Sequence, residues 1–356
     1  MQSSNWIFSK HYDLTWLFVP VWGVWVVTFC LPEAWVTAEV PLWIWVVFVL
    51  GIDVSHVWST LFRTYLDREE FQHHRKLLII APVLAFAGAA AISAISMSLF
   101  WRVLAYVAVF HFVKQQYGFM RIYKAKARDF KKQWITDNFV IYLSMLYPVF
   151  FWHINLDRQF SWFISGDFIQ WQPEFISTIN LIGSWLYVLM IGSWLVQEFF
   201  RSKGQSFPMG KVLWVLTTAG NWYIGIVYFN SDLVFTITNV VAHGIPYMAL
   251  VLFYQRRKFQ LRAISFGKIK YGLMVIGGVL MLALGEEYFW DLFVNKENGD
   301  FFASFLPYFE TVPALHWQVL ATAVLSVPQI THYIVDGFIW KSNEKNPYLK
   351  EVLFDA

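Results

Sequence analysis

Ten stretches of mostly apolar residues dominate the chain, and each is close to the roughly 20 residues that cross a membrane as an α-helix. Charged residues make up only 14% of the 356 residues, compared with about 25% in soluble domains. We therefore predict an all-α, polytopic membrane helix bundle that forms a single integral-membrane domain over residues 1–356. The predicted spans are 14–32, 41–62, 77–98, 100–120, 136–154, 176–199, 211–229, 233–255, 270–288 and 315–340.

Lysine and arginine residues are unevenly distributed among the connections between these spans. Alternate connections, together with the two ends of the chain, hold 23 of the 27 basic residues. Because cytoplasmic loops carry the excess of basic residues, both termini are predicted to face the cytoplasm. The chain start lacks a cationic leader with a small-residue cleavage site, so the first stretch is predicted to be a retained span. The expected location is a bacterial inner membrane, surrounded by lipids and with no nucleic-acid partner.

Four histidines lie deep inside the predicted spans, at similar distances of about 10–20 Å from the cytoplasmic helix ends. Each has polar residues three or four positions away, which share its helical face. The histidines are His56, His111, His243 and His332, and their companions are Asp53, Lys114, Gln115, Asn239, Gln329 and Asp336. Polar side chains inside a membrane are costly and face the bundle interior. This common depth favours one shared site over four separate structural hydrogen bonds.

Several imidazoles with a carboxylate are typical of non-haem ferrous sites that handle oxygen. We predict that the four histidines bind a metal, with Asp53 and Asp336 either as ligands or as carboxylates that orient a histidine. The side chains predicted to surround the ligands are Gln115, Gln116, Asn239 and Gln329. Lys114 is interpreted either as a catalytic cation or as a lysine that reaches for the membrane surface. Non-haem iron is the expected metal, and haem, zinc and copper are the alternatives.

The occurrence of one histidine per helix at His56, His111, His243 and His332, and the overall hydropathy, resemble the Brp/Blh family of bacterial membrane β-carotene dioxygenases. The resemblance implies iron held by histidines from separate helices and oxidative cleavage of a carotene to retinal. The predicted function is a metal-dependent membrane oxidoreductase or oxygenase that takes a lipophilic substrate from the bilayer. Such an enzyme could also receive electrons from a cytoplasmic donor. The alternatives are a transporter or proton- or ion-conducting protein, and a haem-binding electron carrier.

Two other pairs of titratable residues are predicted to lie in water, outside the site. His73 and His74 fall in a charged loop after the second predicted span. Glu286 and Glu287 fall at the outer end of the ninth predicted span, 270–288. The single cysteine, Cys30, excludes a cysteine-ligated iron–sulfur cluster within one chain.

Overall fold

The computed structural model describes residues 5–36, 40–156, 162–203, 206–261, 268–341 and 346–354, and within these ranges it is helical and contains no strand. The all-α prediction is therefore confirmed. Ten long helices, named α1 to α10 in chain order, are Lys10–Cys30, Leu42–Arg63, Arg75–Ile95, Met97–Lys126, Asp137–Ile154, Ile176–Arg201, Met209–Trp222, Asp232–Gln260, Lys270–Asn295 and Leu315–Ile339. Shorter helices are Glu33–Val36, Arg68–His73, Gly299–Ala303 and Pro347–Leu353.

Eight of the ten long helices are long and apolar enough to cross a membrane, which indicates an integral membrane protein. The other two, α5 and α7, correspond to the predicted spans 136–154 and 211–229. Helix α5 has 18 residues, and α7 has 14 residues that continue into a π-helical segment, Tyr223–Tyr228. The total of ten spans and the cytoplasmic termini stay predictions.

The chain folds as two compact units. The first unit comprises Met1–Val40 and Val109–Pro246, and the second comprises Pro41–Ala108 and Tyr247–Ala356. Within the first unit, α5 packs against α6 and α7. Within the second unit, α3 packs against α10, and α9 packs against α2. Helices α4 and α8 are continuous through the division, so each begins in one unit and ends in the other.

Small side chains on α3 explain how closely it packs against α10. Ala81, Ala85 and Ala89 recur every four residues on one helical face, and each is at most 3% exposed. Small residues at this spacing let the backbones of two membrane helices approach closely. Ala81 lies in an apolar cluster with Val335 of α10. This packing fixes the position of α10, the helix that carries His332.

The second unit contains a buried charge cluster where α2 ends. Arg63 and Lys258 are both fully buried. Arg63 forms an ion pair with Glu70, and the Nζ of Lys258 lies 2.8 Å from Glu70 Oε1 and 2.7 Å from Asp67 Oδ2. Two cations thus neutralise two carboxylates away from water, as buried charges require.

His74 also belongs to this buried region. Its Nε2 lies 2.8 Å from Asn346 Oδ1, and the residue is only 6% exposed. The prediction of a solvated His73–His74 pair is therefore wrong for His74. The reason is that Asn346, 272 residues away in sequence, packs over the loop, and local sequence carries no signal of such a contact.

The Glu70 cluster makes the stability of the protein sensitive to acid. Burial alone would raise the pKa of Glu70, but the charges of Arg63 and Lys258 more than offset this and lower its pKa from 4.5 to about 2. A lowered folded-state pKa adds stability above the unfolded-state value, and this stability is lost as pH falls from about 4.5 towards 2. We expect the difference in thermal midpoint between the wild type and Glu70→Gln, measured in detergent, to shrink over this pH range. A difference that stays constant down to pH 3 would contradict this role of Glu70.

The first unit has a second buried charge cluster, built from three cations and three carboxylates. Its members are Lys124, Lys211, Arg201, Asp129, Asp137 and Glu198. Lys211 is fully buried at the start of α7. Its Nζ lies 3.0 Å from Asp137 Oδ1 and 2.7 Å from Glu198 Oε2, and it also pairs with Asp129. The cluster therefore joins α5, α6 and α7 around one ammonium group.

Candidate metal centre

In the second unit, His56 of α2 and His332 of α10 form a buried pair. The two rings are 5.0 Å apart between centroids with an interplanar angle of 79°, and the residues are 1% and 2% exposed. Two imidazoles that bind one ion at about 2.0–2.1 Å would have centroids roughly 4.5–5.3 Å apart. The separation within this pair therefore suits two ligands of the same ion.

A line of hydroxyl groups contacts the far nitrogen of His332. His332 Nδ1 lies 2.7 Å from Thr60 Oγ1, and Thr60 Oγ1 lies 2.9 Å from the hydroxyl of Tyr247. Asp336 accepts hydrogen bonds from Tyr247 and from Trp340 Nε1, the latter at 2.8 Å. If Nε2 held a metal, Nδ1–H would donate to Thr60, Thr60 would donate to Tyr247, and Tyr247 would donate to the carboxylate. The line of donors thus fixes the tautomer that a metal ligand needs.

The two predicted carboxylates, Asp336 and Asp53, lie beside the His56–His332 pair in different ways. Asp336 reaches His332 through Tyr247 and Thr60, which fits an orienting carboxylate. Asp53 Oδ1 lies 3.5 Å from His56 Nδ1. If His56 bound a metal through Nε2, Nδ1 would remain available to contact this carboxylate. Neither aspartate belongs to the group of residues whose ligand atoms converge. The first of the two predicted roles, direct ligation, stays a prediction for both.

Sequence analysis missed Thr60 and Tyr247. Thr60 lies four residues after His56, and Tyr247 lies four residues after His243, so each occupies the helical face of a candidate ligand. The signal was therefore present. It was overlooked because only charged and amide companions were considered, although a hydroxyl group orients an imidazole equally well.

In the first unit, His111 of α4 and His243 of α8 form a second buried pair. Their ring centroids are 5.0 Å apart with an interplanar angle of 83°, and the residues are 4% and 0% exposed. The geometry repeats that of the His56–His332 pair. Each unit by itself therefore contributes two perpendicular imidazoles with the same spacing.

Two glutamines of α4 hold the backbone of α8 at His243. Gln115 Nε2 donates to the His243 carbonyl at 2.8 Å, and Gln116 Nε2 donates to the Ala242 carbonyl at 3.1 Å. Pro246 lacks the N–H that would otherwise bond the Ala242 carbonyl four residues earlier. Gln116 therefore replaces a helical hydrogen bond that the proline removes. Both glutamines act on the main chain that carries the ligand, in keeping with their predicted place around the site.

Gln116 is itself held by α7. Thr218 Oγ1 donates to Gln116 Oε1 at 3.0 Å, and Trp214 Nε1 donates to the Gln116 carbonyl at 3.0 Å. Lys211 lies in the first turn of α7. The charge cluster of the first unit therefore holds α7 in place, and α7 in turn holds Gln116. The support of His243 thus extends through two helices.

The four histidines together form a group that could hold a metal ion. One ligand atom from each lies within 4.8 Å of the other three, and all four residues are buried. The predicted metal-binding group is therefore present, although its geometry does not determine the metal.

Two predicted residues have contacts away from the imidazole rings. Lys114 is exposed, its Nζ donates to the hydroxyl of Tyr142 at 3.2 Å, and it lies 5.0 Å from the ring centre of Tyr117. These are the contacts of a lysine on the outer face of a helix, so its catalytic role stays a prediction. Gln329 Nε2 donates to Tyr333 at 2.8 Å, so this amide orients a tyrosine.

Glu286 is a half-buried polar residue that was predicted to lie in water. Helix α9 continues to Asn295, beyond the predicted end at 288, so Glu286 lies inside the span. Trp58 Nε1 donates to Glu286 Oε2 at 2.6 Å, and Trp290 Nε1 donates to Oε1 at 3.3 Å. The predicted helix end at 288 is therefore wrong, and Glu286 is hydrogen-bonded to two indoles, whereas contact of the Glu286–Glu287 pair with water stays a prediction.

The chain matches no protein-family model, no curated protein and no solved structure. The function is therefore argued from the geometry of the site alone.

Removal of the Thr60 hydroxyl tests the line of donors. We expect Thr60→Val, which keeps the shape of the side chain, to weaken metal binding about 10- to 100-fold, as loss of an outer hydrogen-bond partner does in other metal sites. A competition titration with a chromogenic chelator would measure this affinity. Thr322→Val is the matched control. Thr322 of α10 is buried like Thr60, but its hydroxyl lies 3.9 Å from the sulfur of Met97 and away from the histidine pair. Equal affinities for both variants would contradict the role of Thr60.

Asn239 allows a second test, with the opposite sign for stability. It is 2% exposed, and within the described residues its Nδ2 has no hydrogen-bond partner. An unpaired buried donor costs about 1–3 kcal/mol, so Asn239→Leu is expected to raise the thermal midpoint of the metal-free protein. The control is Asn221→Leu, which removes the acceptor of the Trp25 Nε1 hydrogen bond at 3.0 Å and should lower the midpoint. A fall in both midpoints would show that the Asn239 amide is paired.

Proposed function

We propose that this protein is a membrane-embedded non-haem iron oxygenase that acts on a lipophilic substrate. The observation that carries the proposal is the convergence of four buried imidazoles within 4.8 Å of one another. All four histidines lie on helices long and apolar enough to span a membrane. Neutral imidazole is a ligand for iron, zinc, copper and nickel. The choice among these metals therefore depends on how many coordination positions four imidazoles would leave open.

The number of ligands favours iron over zinc. Zinc in proteins is almost always four-coordinate, and a catalytic zinc keeps one position open by using only three protein ligands. Four histidines would close such a site. Iron with six coordination positions would keep two of them open beside four imidazoles, and oxygen chemistry requires open positions.

The same geometry argues against haem. Haem iron is bound by the macrocycle in its plane and by one or two axial ligands from the protein. A macrocycle between two of these histidines would collide with the other two, because all four ligand atoms lie within 4.8 Å of one another. A bare ion therefore suits this group better than a haem.

The residues of the chain perform two tasks in this proposal. The four imidazoles hold the ion, and Thr60, Tyr247 and Asp336 keep the His332 ring in the tautomer that leaves Nε2 available. Bound iron would supply the activation of oxygen. Burial of all four histidines excludes bulk water, which suits a substrate that enters from the hydrocarbon phase of the membrane.

The substrate class and the cellular setting complete the proposal. The resemblance to the Brp/Blh family makes a carotenoid the first substrate to test, followed by other isoprenoid and acyl lipids. We propose a bacterial inner membrane as the location, and a cytoplasmic reductant as the electron donor if the substrate alone does not reduce oxygen.

The deciding experiment combines metal analysis, absorption spectroscopy and oxygen uptake on protein purified in detergent without chelators. We expect about one iron per chain, no Soret band, and oxygen uptake that depends on an added lipid or carotenoid. The control is the same preparation stripped of metal and reloaded with zinc, which should take up no oxygen. A Soret band would favour the haem-binding electron carrier. A protein that binds no metal even after reloading, and whose vesicles conduct protons or ions, would favour transport.

A further inference from the structure

The loop of residues 127–136, between α4 and α5, displays aromatic and basic side chains in an unusual way. Phe130 is 76% exposed and Trp134 is 89% exposed. Arg128, Lys131 and Lys132 are also exposed. Large aromatic side chains this exposed are a sign of an interaction surface, and we name this segment the anchor loop.

The anchor loop is held in a defined shape by the last turn of α6. The Arg201 guanidinium donates to the carbonyls of Lys131 and Lys132 at 2.8 and 3.1 Å. The Gln197 side chain accepts from the Trp134 N–H at 2.8 Å and from the Ile135 N–H at 3.0 Å, and it donates to the Ile135 carbonyl at 2.9 Å. The main chain is therefore turned towards α6, which leaves the aromatic and basic side chains directed outward.

The charge of this surface is positive because its only carboxylate is already paired. Asp129 lies 2.8 Å from Arg201 and also forms an ion pair with the buried Lys211. Lys131 Nζ donates to the Arg201 carbonyl at 3.0 Å, which leaves its charge uncompensated. Arg128 and Lys132 thus face outward beside Phe130 and Trp134, and Lys131 lies at the end of α6 with its charge unneutralised.

The position of the loop along the chain fixes its depth. Gln197 and Arg201 lie near the C-terminal end of a 26-residue helix that is long and apolar enough to span a membrane, so the main chain that they hold also lies at this end. Tryptophan and basic residues are enriched at the membrane–water interface. A negative leaflet attracts clusters of lysine and arginine.

We propose that the anchor loop binds the headgroups of anionic phospholipids. Arg128, Lys131 and Lys132 contact the phosphates, and Phe130 and Trp134 enter the boundary between headgroups and acyl chains. This site is independent of the metal centre and of the proposed oxygenase activity. It would fix the end of α4 relative to the bilayer, and α4 carries His111.

Native mass spectrometry of the full-length protein can test the proposal by titration with phosphatidylglycerol and phosphatidylcholine in the same sample. The test variant is Arg128→Gln/Lys131→Gln/Lys132→Gln, which leaves Asp129, Gln197 and Arg201 in place. Each basic residue near an anionic surface contributes a severalfold gain in binding, partly screened by salt. We expect the preference for phosphatidylglycerol to fall about tenfold in this variant, and to fall in the wild type as salt is raised.

A matched control removes three exposed cations from the second unit, as Arg68→Gln/Lys76→Gln/Lys350→Gln, and should keep the preference. Phe130→Ser/Trp134→Ser should weaken the binding of both lipids. Thermal midpoints equal to that of the wild type would show that the loop variants fold. An unchanged lipid preference in the first triple variant would overturn the proposal and would point to an acidic protein as the partner of the loop.

Discussion

Alanine in place of any one of the four histidines is expected to remove most of the bound metal. Each imidazole provides one of four ligand atoms that lie within 4.8 Å of one another, and no cysteine, aspartate or glutamate belongs to this group in the described part of the chain. When one histidine is replaced, the group therefore holds no further side chain of these types that could bind the metal instead. The measurement is the metal content per chain of His56→Ala, His111→Ala, His243→Ala and His332→Ala, purified beside the wild type without chelators.

His73→Ala is the control for these four variants. His73 is exposed, and its Nδ1 contacts the Glu69 carbonyl at 2.7 Å, so this variant should retain its metal. Free imidazole, which can occupy the space left by the side chain, should restore metal binding to the four ligand variants. Full metal content in one of them would remove that histidine from the ligand set and leave a three-histidine site. Full content in all four would refute the metal centre.

Comparison of the four variants also tests the equivalence of the two histidine pairs. The His56–His332 pair and the His111–His243 pair have the same centroid separation, 5.0 Å, and nearly the same interplanar angle. A single ion held by all four predicts losses of similar size. Loss in only one pair would place the ion within one unit, with the other pair as hydrogen-bonding residues.

Much of the helical architecture was predictable because apolar stretches of sufficient length have few alternatives in a membrane. Helix ends were harder to predict. Helix α9 runs past 288 to Asn295, and within it Glu286 accepts hydrogen bonds from Trp58 and Trp290. The sequence does not indicate whether an indole N–H will donate to a given glutamate. An acidic residue inside a helix is therefore easily mistaken for the end of that helix.

The candidate site was predictable in outline for a similar reason. A shared depth and a shared helical face identified His56, His111, His243 and His332, since both properties follow from helix geometry. Helix geometry does not determine the direction in which each side chain points. Asp336 was predicted near the metal, yet it contacts Tyr247 and Trp340. The aspartate and the histidine share one face, and contacts with other helices decide which neighbour each of them meets.

The buried charge clusters could not be predicted, because their members are far apart in sequence. Lys211 meets Asp129 across 82 residues and Asp137 across 74 residues. In the sequence these residues belong to charged connections, which are usually solvated. Pairing inside the protein, rather than exposure to water, is a property of the tertiary fold alone.

Lys211→Met is expected to cause the largest loss of stability of any single substitution outside the metal site. Lys211 is the buried cation shared by Asp129, Asp137 and Glu198, and its removal leaves three carboxylates with only Lys124 and Arg201. Removal of one partner from a buried ion pair costs about 3–5 kcal/mol. In a chain of this size we expect the thermal midpoint to fall by roughly 4–7 °C.

The charge balance explains how this loss can be distinguished from a simple packing defect. Lys211→Met/Glu198→Gln removes one negative charge together with the positive one, so the double variant should recover part of the lost stability. If the loss came from a packing defect, the second substitution would lower the stability further. Lys203→Met is the control for a surface cation, since Lys203 is exposed and its ammonium lies over the Phe200 ring. A midpoint for Lys211→Met equal to that of Lys203→Met would show that the cluster contributes little. Helix α7 links Lys211 to Gln116 and, through Gln116, to the backbone beside His243. Lys211→Met should therefore also bind metal more weakly. The double variant should recover stability and metal binding together.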